Sequence, residues 1–247
     1  MKALNIPVGI SNFEKIRNNG FYYVDKTGLI EELLKTEAEV TLITRPRRFG
    51  KTLGMSMLES FFDIRKNSRK LFEGLEIARQ SELCSKWMNQ YPTVSVSFRQ
   101  VDGLNFTSAY DMLTMVFADL YNKHLYLLED SHVTEFQMKT FTNIAHGCGS
   151  EKEVKSSLVL LTTMMQQHYG KAVVLLIDEY DVPVAKANAH GYYNEMLDVM
   201  KGLLQALKDN QALCFAVVTG CLKIAKESIF TGTNNFVSDT ITEIGRA

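Results

Sequence analysis

Arg45-Pro46-Arg47-Arg48-Phe49-Gly50-Lys51-Thr52 is the stretch on which the reading of this chain turns. It follows Val40-Thr41-Leu42-Ile43-Thr44, a short run rich in β-branched residues that reads as a buried strand. Pro46 and Gly50 mark the stretch itself as a loop. A helix is expected from Lys51 or Thr52, with Met57, Leu58, Phe61 and Phe62 at helical spacing. Strand, loop and helix form the context that the phosphate-loop pattern G-x-x-x-x-G-K-[ST] requires. In that geometry the loop and helix-terminal N–H groups point at phosphate oxygens. Gly50 allows close approach without a Cβ, the Lys51 ammonium neutralises β- and γ-phosphate charge, and the Thr52 hydroxyl helps to hold Mg²⁺. Arg45 stands where the pattern has its first glycine, which makes the loop stiffer and bulkier. The plainer alternative is a strand-to-helix turn with a solvated lysine.

The apolar run Ala172-Val173-Val174-Leu175-Leu176-Ile177 ends in Asp178-Glu179-Tyr180-Asp181. A continuous run of this kind fits a central parallel strand covered on both faces. Ligands of open α/β sheets sit at the carboxyl ends of the strands, so both motifs are expected on one edge. There Asp178 can reach a Mg²⁺ shell, and Glu179 can accept a proton from an attacking water or orient it. Taken alone, Asp-Glu after a strand is commonly a solvated turn. Asp181 could cap the next segment or add an outer contact to the site.

Leu213 to Thr219 reads as a further strand, leading into Gly220-Cys221-Leu222-Lys223-Ile224-Ala225-Lys226. Thr219 could contact the γ-phosphate or the attacking water, and Lys223 and Lys226 could supply positive charge to a transition state. A helix start with exposed lysines accounts for them equally well. Thr93 to Phe98 is another strand, and Phe236 to Ile241 could be the last. Helices are expected over about Ser108 to Leu128, along a stripe of Val154, Leu158, Leu161, Met165 and His168 stopped by Gly170, and over Tyr192 to Leu207. Strands alternating with helices predict an α/β fold with a mostly parallel central sheet of about five strands, right-handed crossovers and helices on both faces.

Composition narrows the classes. With 46% hydrophobic and 22% charged residues, the 247-residue chain has the balance of an ordinary globular protein. A net charge of −1 gives no bulk field to attract nucleic acid or an anionic membrane. No apolar run approaches the roughly 20 residues that cross a bilayer, and the N-terminus lacks the apolar core of a signal peptide. Cys84, Cys148, Cys214 and Cys221 form no C-x-x-C pair and fit a reduced, cytoplasmic protein. The five histidines show no metal-ligand spacing. His168 reads as a core residue, and Met112, Met115, Met164, Met165, Met196 and Met200 read as core filler.

Gly9-Ile10-Ser11-Asn12-Phe13, Tyr23-Val24-Asp25-Lys26-Thr27, the phosphate-loop stretch, Leu176-Ile177-Asp178-Glu179-Tyr180-Asp181 and Ala225-Lys226-Glu227-Ser228-Ile229-Phe230 together resemble the AAA-ATPase-like domain of bacterial and archaeal proteins. The resemblance covers essentially the whole chain. It implies a P-loop NTPase three-layer sandwich of the additional-strand (ASCE, AAA-like) type, with an extra strand between the phosphate loop and the Asp-Glu strand. With the residues read above, the expected ligands are ATP and Mg²⁺, held by Arg45 to Thr52 with Thr52 and Asp178 on the metal, and the candidates for catalysis are Lys51, Glu179, Thr219 and Lys223. Members resemble this chain in having Arg-Pro-Arg-Arg before Phe-Gly-Lys-Thr, which makes Arg47 and Arg48 part of the expected site.

The expected organisation is one domain over residues 1–247, with a lead-in over 1–38 and a helical segment over 101–170. Similar proteins often continue into a domain like PD-(D/E)xK nucleases; no such segment is found here, and the chain reads as a possible fragment of a longer protein. The functional expectation is ATP binding with Mg²⁺-dependent hydrolysis. Two alternatives stay open: a nucleotide-gated module with little or no turnover that positions a protein partner or a second copy, and the ATPase part of a nucleic-acid-processing protein. The last rests on family analogy and on the basic runs at Arg45 to Arg48 and Arg65 to Lys70.

Overall fold

Strands form where the sequence can be covered on both faces. The computed structural model describes residues 5–46, 48–221 and 236–239. Val40–Thr44 (β1), Thr93–Ser97 (β2), Val173–Asp178 (β3), Leu213–Gly220 (β4) and Phe236–Asp239 (β5) lie in the order β2-β3-β4-β1-β5. Every neighbouring pair is parallel. β4 therefore separates the strand before the phosphate loop from the Asp-Glu strand, in a register that sets Thr44 opposite Gly220 and Ile177 opposite Val218.

Parallel neighbours require crossovers, and the helices supply them. Phe13–Asn18 (α1) and Gly28–Thr36 (α2) precede β1, and Lys51–Phe62 (α3) follows it. Arg69–Phe72 (α4) and Ser81–Trp87 (α5) lead to β2. Phe106–Asn122 (α6), Glu135–Ala145 (α7), Glu151–Lys155 (α8) and Ser157–Tyr169 (α9) lie between β2 and β3. Val182–His190 (α10) and Tyr193–Leu203 (α11) connect β3 to β4.

Side chains alternate across a strand, so β1, β3 and β4 each feed two cores. Val173, Leu175, Ile177, Ala216 and Val218 join the core built on α6, α7, α9 and α11. Val174, Leu176, Val217 and Ile43 join the opposite core, which is built on α2 and α3 and includes Met57, Leu58, Phe61 and Phe62. The result is a helix–sheet–helix sandwich. Among the described residues no helix is long and apolar enough to cross a membrane.

Several boundaries differ from the sequence reading. The helix expected over Ser108 to Leu128 begins at Phe106, where Asn105 and Ser108 cap each other, and ends at Asn122; Leu125–Glu129 is a separate 3-10 turn. The stripe from Val154 to His168 is split at Ser156, whose hydroxyl bonds back to the Lys152 and Glu153 carbonyls and ends α8. Gly170, in the left-handed region, closes α9. His168 is not a core residue: it sits in the last turn of α9, about one-third exposed, with Nδ1 2.9 Å from Asp130 Oδ2. Met115 is 60% exposed and fills no core, whereas Met164, Met165, Met196 and Met200 are buried.

Candidate functional site

The carboxyl edge of the sheet gathers the chemistry. Gly50 has φ 77° and caps α3 from the left-handed region, which a residue with a Cβ adopts only with strain. The Lys51 ammonium donates to the Arg45 carbonyl (2.7 Å), the Pro46 carbonyl (3.0 Å) and Cys221 Sγ (3.1 Å). In the first turn of α3, Thr52 Oγ1 donates to Asp178 Oδ2 at 2.8 Å, closing a gap of 126 residues in sequence. The phosphate-loop turn and the carboxylate-tipped strand thus meet.

Asp178 is only 4% exposed, and a buried carboxylate needs donors on its oxygens. Thr52 serves Oδ2 and the Thr219 hydroxyl serves Oδ1. Thr219 Oγ1 also accepts the Glu179 N–H at 3.4 Å, so the β4 hydroxyl is directed at the carboxylate strand. Glu179 itself holds φ 54°, a left-handed conformation uncommon for a residue with a Cβ and concentrated at functional positions. Partial burial, and then the neighbouring Asp178 charge, push the Glu179 carboxyl above its ordinary range; Arg99 and Lys51 pull against that rise.

A cleft of about 620 Å³ opens here, lined by Arg48, Gly50, Lys51, Thr52 and Glu179 of the expected set. Its size falls within the range of small-molecule sites. Phe49 and Arg45 instead line a neighbouring apolar cavity. Pro46 contributes its carbonyl to Lys51. Arg47, Lys223 and Lys226 lie outside the described residues. Asp181 occupies the N-cap position of α10 without a side-chain cap bond, and its Oδ2 accepts the Cys221 N–H at 2.9 Å.

The cleft also contains Gly9, Ile10, Ser11, Arg99, Val182 and Lys186, which the sequence reading did not assign to it. Arg99 was within reach of the carboxyl-end rule, because it stands two residues past β2 and the Phe98 N–H donates to the Asp178 carbonyl. The second basic run contributes less free charge than its composition implies. Arg65 is paired with Asp63, and Lys66 with Glu14 and Glu59.

Close packing holds this edge together at Gly220. A Cβ there would overlap the Tyr180 ring edge and lie 2.8 Å from Asp181 Oδ1. Gly220→Ala is expected to cost about 1–3 kcal/mol of stability through overpacking, read as a lowered midpoint in urea unfolding. An unchanged midpoint would show that the contact yields freely.

A parallel α/β sheet with these two motifs on one edge is the architecture of a P-loop nucleotide-binding domain. The chain belongs to the AAA-ATPase-like family, described as Predicted AAA-ATPase, whose pattern matches residues 7–230. It is also 28% identical over 238 residues to a protein of Azotobacter chroococcum mcd 1 named "Uncharacterized protein in vnfD 5'region". That match covers 95% of this chain and 40% of the relative, so the chain spans about two-fifths of the relative's length. No solved structure matches the chain.

Proposed function

We propose that this chain binds ATP together with Mg²⁺ at the carboxyl edge of its sheet and hydrolyses the γ-phosphate. The observation that carries the reading is the 2.8 Å contact between Thr52 and Asp178, with Lys51 and Glu179 in the same cleft. The placement of β4 between β1 and β3, with β5 beyond β1, agrees with the additional-strand, AAA-like class.

Lys51 and the loop from Arg45 to Gly50, Arg47 and Arg48 included, hold the phosphates. Thr52 and Asp178 hold the metal. A hydroxyl oxygen and a buried carboxylate are hard donors, the kind Mg²⁺ takes beside water and phosphate oxygens. Bound there, Mg²⁺ supplies charge neutralisation on the phosphates. Glu179 accepts a proton from the attacking water as its oxygen bonds to the γ-phosphorus and the bond to the β–γ bridging oxygen breaks. Thr219 is a positioning residue, because its hydroxyl orients Asp178 and accepts the Glu179 N–H. Arg99, which lines the same cleft as Glu179, and Lys223, three residues past β4 in sequence, add positive charge where negative charge accumulates on the phosphate oxygens in the transition state. Four free cysteines agree with a reducing, cytoplasmic setting.

Calorimetric titration with a non-hydrolysable ATP analogue, with and without Mg²⁺, tests the reading. Saturable binding that tightens with Mg²⁺ is the expected result; no binding in either condition overturns it.

A further inference from the structure

Beside the phosphate cleft lies a second cavity of about 290 Å³, with a different lining. It is lined by Tyr22, Tyr23 and Val24 of the lead-in and by Phe49, Leu53 and Met57, and among the described residues no carboxylate borders the space. The two cavities share Gly50, Lys51 and Leu53. One is therefore built for anionic groups and the other for an apolar, flat one, and both open onto the same turn. Tyr22, Val24 and Phe49 are 54%, 56% and 55% exposed, an unusual concentration of apolar surface at one rim.

We infer that this second cavity receives the base of the nucleotide and recognises it by its faces rather than by its hydrogen-bonding edge. The inference rests on the function proposed above and adds the part of the ligand that the phosphate cleft does not address. Edge recognition needs side-chain donors and acceptors placed for one base. Two of the three hydroxyls on the wall are already engaged: Tyr23 donates to Met57 Sδ at 3.4 Å and Thr219 donates to Asp178, which leaves the Tyr22 hydroxyl, at the exposed rim, as the one that could reach a base edge. Lys26 and Arg45 border the cavity and offer only donors, which adenine and guanine can both accept. The wall is fixed before any ligand arrives. Asp25 accepts from the Thr27 N–H and hydroxyl and from the Glu76 N–H, and Thr27 Oγ1 accepts from the Ile77 N–H. These bonds latch the Tyr23-to-Thr27 stretch to the segment after α4 and give that stretch a role in the site.

The test titrates the full chain, in Mg²⁺, with ATP, GTP and inorganic tripolyphosphate. Wild type should bind ATP at least about fivefold tighter than tripolyphosphate, the lower end of what one stacked base contributes. ATP and GTP should agree within about threefold, well below the discrimination of a paired edge. Tyr22→Ala and Val24→Ser, at exposed positions, should remove the advantage of ATP while leaving tripolyphosphate binding unchanged. ATP binding undiminished in both variants overturns the inference, as does a preference of about one hundredfold between ATP and GTP. Failure of the proposed function looks different: neither nucleotide nor tripolyphosphate binds to wild type.

Discussion

Glu179→Gln is expected to lower the rate of ATP hydrolysis by about two to four orders of magnitude, the usual contribution of a general base, while nucleotide affinity stays near that of wild type. The amide keeps the size of the side chain and its place in the cleft but cannot take a proton. The pH profile gives a second, independent readout. Burial and the adjacent Asp178 charge raise the Glu179 carboxyl above its ordinary range, so the protonated, inactive form persists to higher pH. As pH falls, kcat/KM should therefore begin to drop above the ordinary glutamate value of about 4.3, since kcat/KM reports the free enzyme. That acidic limb should be absent from the residual activity of the Gln variant. Equal turnover by the two proteins would remove Glu179 from the reaction.

Lys51→Ala should weaken ATP binding by about ten to one hundredfold, the range for losing charge-assisted hydrogen bonds to phosphate. The ammonium already has three acceptors within the protein, at Arg45, Pro46 and Cys221. Phosphate binding is thus an exchange of bonds, which keeps the expected loss moderate. Thermal unfolding of the variant should stay close to wild type, because the side chain is only part-buried. Titration with the non-hydrolysable analogue decides the matter, and wild-type affinity in the variant would place the phosphates elsewhere.

What could be read from the sequence was set by how locally each signal is encoded. β3 and most of β4 are apolar runs and β1 is rich in β-branched residues, because a central parallel strand is covered on both faces, and they stand out in one dimension. The phosphate loop and the Asp-Glu pair each carry their chemistry within a few neighbouring residues. α7 was not read, although Thr134 and Gln137 form a capping box that marks its start. α10 was not read either, being short and weakly amphipathic, with Pro183 in its first turn. Arg99, Lys186 and Gly9 to Ser11 enter the cleft from three separate parts of the chain. The carboxyl-end rule reaches Arg99 alone; the place of Lys186 and of Gly9 to Ser11 in the cleft is set by tertiary packing and by no pattern in their own stretches. His168 was misplaced for a related reason: helical spacing fixes the face a residue occupies but not where the neighbouring layer ends.

The sheet order also bears on how the protein is made. The strand that precedes the phosphate loop has its only sheet neighbours among the described residues in β4 and β5, both near the far end of the sequence. Lys51 and Cys221, joined in the finished site, are 170 residues apart. At ordinary rates of synthesis that separation amounts to roughly ten to thirty seconds on the ribosome. During that interval Val40–Thr44, buried along its whole length in the folded sheet, has no strand to pair with. The nascent chain therefore carries an unsatisfied apolar segment until β4 has been made, a ready substrate for chaperones, and the edge that joins Lys51 to Cys221 is assembled only then.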